Sequence, residues 1–201
     1  MILKSELNSD FHIIESKKIS RRDFIKGGAL TALGSLILPS SMLASEEEDV
    51  RSIEMFNIHT GKRIKTVYYE NGEYDIDAMN EIYDLMADYR AHEVMQIDNQ
   101  LIDLLHYIQK YSGGMPIELL SGYRSPQTNY ELRKHHRGVA KHSYHTLGKA
   151  ADIRIPKLPL HTLRRIALHL SDYYKKGGVG YYPRSGFVHV DVGPLRRWRG
   201  V

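Results

Sequence analysis

The hydrophobic period changes twice along this chain, from two to 3.6 and back to two, which limits the folds open to it. Ile53 to Ile58 and Arg63 to Tyr69 alternate on either side of Thr60-Gly61-Lys62 and predict a β-hairpin, with a further turn at Asn71-Gly72. Ile82, Leu85, Met86 and Tyr89 then recur at helical spacing, predicting a helix over 77–89. Ile97, Leu101, Leu104, Leu105 and Ile108 predict a second over 93–111, ended by Gly113-Gly114. Short apolar runs at 116–120, 150–155, 179–182 and 187–192 read as strands, the last of these as the final strand. Helices are expected between them at 127–133 and 160–173. A hairpin, helices, then an antiparallel sheet with flanking helices is an α+β order.

Residues 1–44 stand apart from that pattern. Ser20 to Lys26 read S-R-R-D-F-I-K, followed by an apolar small-residue stretch from Gly27 to Leu38, then Pro39 and a serine-rich exit to Ala44. A basic start, an apolar middle and a small-residue exit are the grammar of an export signal, and paired arginines assign it to the twin-arginine route. The expectation is a twin-arginine signal over 1–44, transient contact with that translocase, and a periplasmic domain over 45–201. Met42 stands at the minus-three position of a cut after Ala44, so an uncleaved inner-membrane anchor also fits. The apolar stretch itself is shorter than the ~20 residues a spanning helix needs.

Residues 45–201 hold 22 basic and 20 acidic side chains, too even a balance for a nucleic-acid partner. Arg196, Arg197 and Arg199 around Trp198 read as a solvated basic end that could face an anionic wall polymer. The chain has no cysteine, which removes thiolate metal sites, cysteine nucleophiles and iron–sulfur clusters and leaves stability to the core. Histidine is plentiful instead.

Two segments carry the chemistry. S-Y-H-T-L-G-K-A-A-D at 143–152 places His145 in a glycine-containing loop and Asp152 on the strand it feeds; F-V-H-V-D-V-G at 187–193 places His189 between Val188 and Val190. If those strands pair, two imidazoles and a carboxylate can face one side. They would give a divalent cation three ligands and leave a fourth position for water, as in catalytic zinc sites. Each residue alone has a plainer reading: a core histidine, a turn aspartate, a solvated loop histidine.

The joint pattern S-x-H-x-x-G-x-A-x-D with a late histidine resembles the LAS group of zinc D-Ala-D-Ala metallopeptidases, and within it the murein endopeptidases. The likeness runs through S-G-Y-R-S-P, the S-Y-H loop, G-V-G-Y-Y-P and F-V-H-V-D-V-G-P. It implies a hedgehog/D-Ala-D-Ala peptidase-like fold, Zn2+ held by His145, Asp152 and His189, and peptidoglycan stem peptides as substrate. Relatives such as the vancomycin-resistance dipeptidases carry an acidic residue three positions before the last ligand histidine. That position is Gly186 here.

Hydrolysis of an amide also needs a general base and a donor for the oxyanion. Asp191 shares the face of His189 two residues on, and could be that base or could support a ligand. His142 is a second candidate for proton transfer. Arg124 matches the family's motif arginine and suits an oxyanion, a substrate carboxylate or a turn. Three functions stay open: a murein endopeptidase that opens cross-links, a D,D-carboxypeptidase that trims stem peptides, and a metal-stabilised wall-binding module. Oligomeric state is not legible.

Overall fold

The computed structural model describes residues 50–135 and 138–200. The expected export signal at 1–44 lies outside them. No helix among the described residues is long and apolar enough to cross a membrane.

The first hairpin is β1 (Val50–Asn57) and β2 (Arg63–Glu70), and β2 turns into the short β3 (Glu73–Tyr74). Asn71 and Gly72 both take positive φ (54° and 86°), as a two-residue turn of matching twist requires. Helix α1 (Ile76–Leu85) starts at Asp75, whose carboxylate accepts from the Ala78 N–H at 2.8 Å. It ends four residues before the expected 89. Asn57 Nδ2 donates to the Leu85 carbonyl and the Tyr123 N–H to that of Met86, so tertiary donors take the last carbonyls. Tyr89, beyond the helix, stacks on His59 at 4.2 Å.

Helix α2 (Asn99–Tyr111) begins later than the expected 93, because Asp98 caps it through the Gln100 N–H. Glu93 instead bridges to Asp88, and Ile97 is buried from an extended segment. Then follow β4 (Ile117–Ser121), α3 (Pro126–His135), a 3-10 turn (Tyr144–Leu147), β5 (Ala150–Arg154) and α4 (Leu160–Tyr174). The hairpin of β6 (Gly178–Tyr182) and β7 (Phe187–Asp191) precedes β8 (Arg196–Arg199).

The eight strands form one sheet in the order β3-β2-β1-β4-β5-β7-β6-β8. One refinement and one correction to the sequence reading follow. The sheet is mostly antiparallel but parallel at β1–β4 and β6–β8. The strand at 187–191 is also not the last: R-R-W-R, read as a solvated end, pairs with β6. That segment has no apolar alternation, and only its backbone bonds to β6 make it a strand.

Helices α2 and α4 pack together; α2 packs on β1, and α4 on β6 and β7. Ile153, Val179, Val188 and Val190 are buried with Leu101, Leu105, Leu163 and Leu170 in the core. The fold is α+β, and its helices leave the alternate side-chain row of β5, β7 and β6 to build the site.

Candidate metal centre

Strand pairing sets the site. Asp152 lies directly across from His189, His189 across from Gly180, and Gly180 across from Trp198, so one transverse row carries four of these residues on one face. A register shift between Leu119 and Ser121 extends the row by bringing Ser121 opposite Asp152. Without that bulge Ser121 would share the face of Leu119, which is in the core; bulges re-aim side chains in this way beside functional sites.

His145 reaches the row from the 3-10 turn. Ser143 caps the turn, and Gly148 closes it with φ 64°. A Cβ at Gly148 would stand 2.7 Å from the Gln96 carbonyl oxygen, so both backbone and space demand glycine there. The turn is tied to the loop after β4 by the Arg124 N–H, which donates to the His145 carbonyl.

Three donor atoms converge. His145 Nε2 lies 3.2 Å from His189 Nδ1 and 3.3 Å from Asp152 Oδ1, and His189 Nδ1 lies 2.8 Å from Asp152 Oδ1. The outer nitrogens are both committed. His145 Nδ1 donates to the Gly122 carbonyl at 2.7 Å, and His189 Nε2 donates to Asp191 Oδ2 at 3.1 Å. In their neutral forms both rings therefore aim a lone pair inward, at each other and at a carboxylate oxygen. Three acceptors in mutual contact repel one another unless a cation sits among them. An ion bound tetrahedrally at about 2.0–2.1 Å holds its donors roughly 3.3 Å apart, close to the spacing found here. The group could hold a metal ion.

The electrostatics divide the two rings. Burial disfavours charge on both rings; on His145 it dominates and lowers the pKa, favouring the neutral ligand form. On His189 the hydrogen bonds to Asp152 and Asp191 outweigh burial and raise it. Burial would also raise Asp152, but the His145 and His189 rings beside it hold the carboxyl well below the usual range. Arg124 Nη2 donates to Asp152 Oδ2 at 2.7 Å while its Nε donates to Ser121 Oγ at 2.9 Å. One carboxylate oxygen thus faces the histidines and the other is pinned by a guanidinium.

Of the two roles open to Asp191, the geometry fits support. Its side chain has no exposed surface. Oδ1 accepts from the Gly178 and Gly193 N–H groups at 3.0 and 2.8 Å, and Oδ2 accepts from His189 and from Arg196 Nη2 at 2.6 Å. Both oxygens are engaged, so a water has no lone pair to meet. His142 is exposed in the bend before Ser143 and is not hydrogen-bonded into the group. Arg133, Lys134 and His135 form an exposed polar end of α3.

Sequence reasoning missed two contributors, the Gly122 carbonyl and Asp88. The Gly122 carbonyl is invisible in sequence, because any residue carries one. Asp88, buried between α1 and α2, accepts from the N–H groups of Ser125 and Arg90 at 2.8 and 3.0 Å and so fixes the Arg124 loop. Trp198 packs against His189 with ring centroids 5.2 Å apart and planes inclined at 49°, lies over Gly180, and donates from Nε1 to the Tyr182 hydroxyl at 2.8 Å.

With this geometry in place, the comparisons with known proteins are specific. The family described as peptidoglycan L,D-endopeptidase MepK matches residues 45–198. The chain belongs to this family. The MepK of Escherichia coli K12 is 41% identical over 181 residues, spanning 89% of this chain and 97% of that protein. The probable MepK of Haemophilus influenzae is 40% identical over 185 residues, spanning 90% and 97%. No solved structure matches. The hairpin geometry accounts for Gly186. The position that is acidic in the dipeptidases closes the β6–β7 hairpin here, with φ 74° and a hydrogen bond from its N–H to the Tyr182 carbonyl.

Proposed function

We propose that this chain is a zinc-dependent peptidoglycan endopeptidase that hydrolyses peptide cross-links of the bacterial wall, with the L,D-linkage between two diaminopimelate residues as its substrate. One observation carries the reading: two imidazole lone pairs and a carboxylate oxygen meet within 3.3 Å, each ligand oriented by a partner behind it. His145, Asp152 and His189 would hold Zn2+, whose chemistry when bound is to lower the pKa of a bound water toward ~7 and polarise the scissile carbonyl.

The chain's own residues supply the rest. Gly122 and Asp191 keep the ring protons of His145 and His189 on the outer nitrogens, so the inner ones stay ligands. Arg124 keeps Asp152 turned inward, and its donors not spent on Asp152 and Ser121 suit a developing oxyanion or a stem-peptide carboxylate. With Asp191 occupied, proton transfer falls to His142 on the exposed loop. Export by the twin-arginine route to the periplasm, in the reading of residues 1–44, would place the enzyme beside its substrate.

Digestion of purified sacculi, with released fragments separated by mass, tests this. The expected result is loss of cross-linked dimers, abolished by chelator and restored by zinc, with H142A slowed by 10²-fold or more. Intact dimers with shortened monomers would mark a carboxypeptidase, and no release in any arm would leave a binding module.

A further inference from the structure

Strand β8 lies outside every motif that pointed to the site, yet one of its arginines reaches the metal group by two routes. Arg196 Nη2 donates to Asp191 Oδ2 at 2.6 Å, the same oxygen that accepts from His189 Nε2. Its guanidinium also lies over the Tyr144 ring at 4.9 Å, and Tyr144 is the neighbour of His145 in the 3-10 turn. Both contacts are built into the backbone. A Cβ at Gly178 would stand 2.2 Å from Asp191 Oδ2 and 3.0 Å from Arg196 Nη2, so glycine on β6 makes room for the pair. A Cβ at Gly193 would stand 2.5 Å from the Tyr144 ring, so a second glycine lets that ring approach.

The two histidines are supported unequally. His145 leans on a neutral carbonyl, whereas His189 leans on a carboxylate. An unpaired Asp191 would pull strongly on the His189 ring proton and could turn either oxygen to it. Two backbone N–H groups hold Oδ1 and the Arg196 fork holds Oδ2, which fixes both the rotamer and the charge that His189 meets.

We infer that Arg196 is a positioning residue of the metal centre, locking the Asp191–His189 pair and the Tyr144–His145 turn into one ligand geometry from the last strand of the sheet. The inference rests on the metal-dependent reading above and deepens it. It separates Arg196 from its neighbour Arg197, which pairs with Asp172 on α4 and has no part in the site.

The test is metal affinity of the full protein, read by competition with a chromophoric chelator, together with the visible spectrum of the Co2+ form. Trp198, the chain's only tryptophan, adds an emission signal beside His189. R196Q is expected to bind Zn2+ and Co2+ 10- to 100-fold more weakly and to shift the Co2+ bands, with R196K recovering part of the loss and R197Q matching the parent. A merely structural arginine would lower the melting temperature and leave the spectrum of the folded fraction unchanged. If the parent binds neither ion, the metal-dependent reading falls and this inference with it. If the parent binds and R196Q matches it in affinity and spectrum, the inference alone falls. Should R196Q fail to fold, R196K is compared with the parent, with at least a threefold loss expected and none overturning the claim.

Discussion

Single residues at this site act through what stands behind them. Asp88 is the clearest case outside the metal group. Burial would raise its pKa, yet hydrogen bonds from Thr128, Ser125 and Arg90 outweigh that and lower it. A carboxyl depressed in the folded state stabilises the protein above its unfolded pKa of about 3.9, and that stabilisation is lost as pH falls through the folded value. D88A leaves buried N–H groups without an acceptor and is expected to cost roughly 3 kcal/mol at pH 7. The gap to the parent should narrow as pH falls below about 4, where Asp88 takes up a proton in the unfolded parent before it does in the folded one. Urea unfolding at pH 7 and pH 3 measures this, and a gap independent of pH would show that the carboxylate charge is not what holds the loop.

At the scale of elements, the site depends on strands that approach more closely than side chains normally allow. Gly180 has no side chain, so the Trp198 ring rests on β6 next to His189. In G180A the new Cβ would stand 2.6–2.7 Å from the ring, forcing Trp198 or β8 to move. The expected outcome is a red-shifted tryptophan emission and a fall in kcat/KM of about tenfold, with metal affinity less affected than in R196Q. Unchanged emission would mean that β8 absorbs the strain elsewhere. The bulge before Ser121 works similarly: one extra residue in β4 turns a hydroxyl that would face the core toward Arg124 and Asp152.

For the whole molecule, an ion held by these three ligands would be linked to the fold. The ligands come from a turn and two strands in the second half of the chain, and their supports from the loop after β4 and from β8. An ion at a thousand times its dissociation constant would stabilise the native state by about 4 kcal/mol. In a domain of this size that corresponds to a rise in Tm of about 8–16 °C. Calorimetry with zinc and with chelator should show that difference, whereas coincident transitions would mean that the three ligands hold no ion in the folded protein.

What the sequence determined by itself was local. Alternation, helical spacing and turn residues placed each long element to within a few residues, and the rarity of S-x-H-x-x-G-x-A-x-D with a late histidine singled out His145, Asp152 and His189. The misplaced ends of α1 and α2 came from capping by Asn57, Tyr123 and Asp98, which periodicity does not register. Only the tertiary structure decided the rest: that Asp191 is spent on His189, that R-R-W-R is a strand, that Arg196 and Asp88 belong to the site's support. Those facts depend on backbone pairing and on hydrogen bonds between distant segments. A periodic pattern reports which face of an element is buried, but not which carboxylate oxygen a remote guanidinium reaches once the strands are laid side by side.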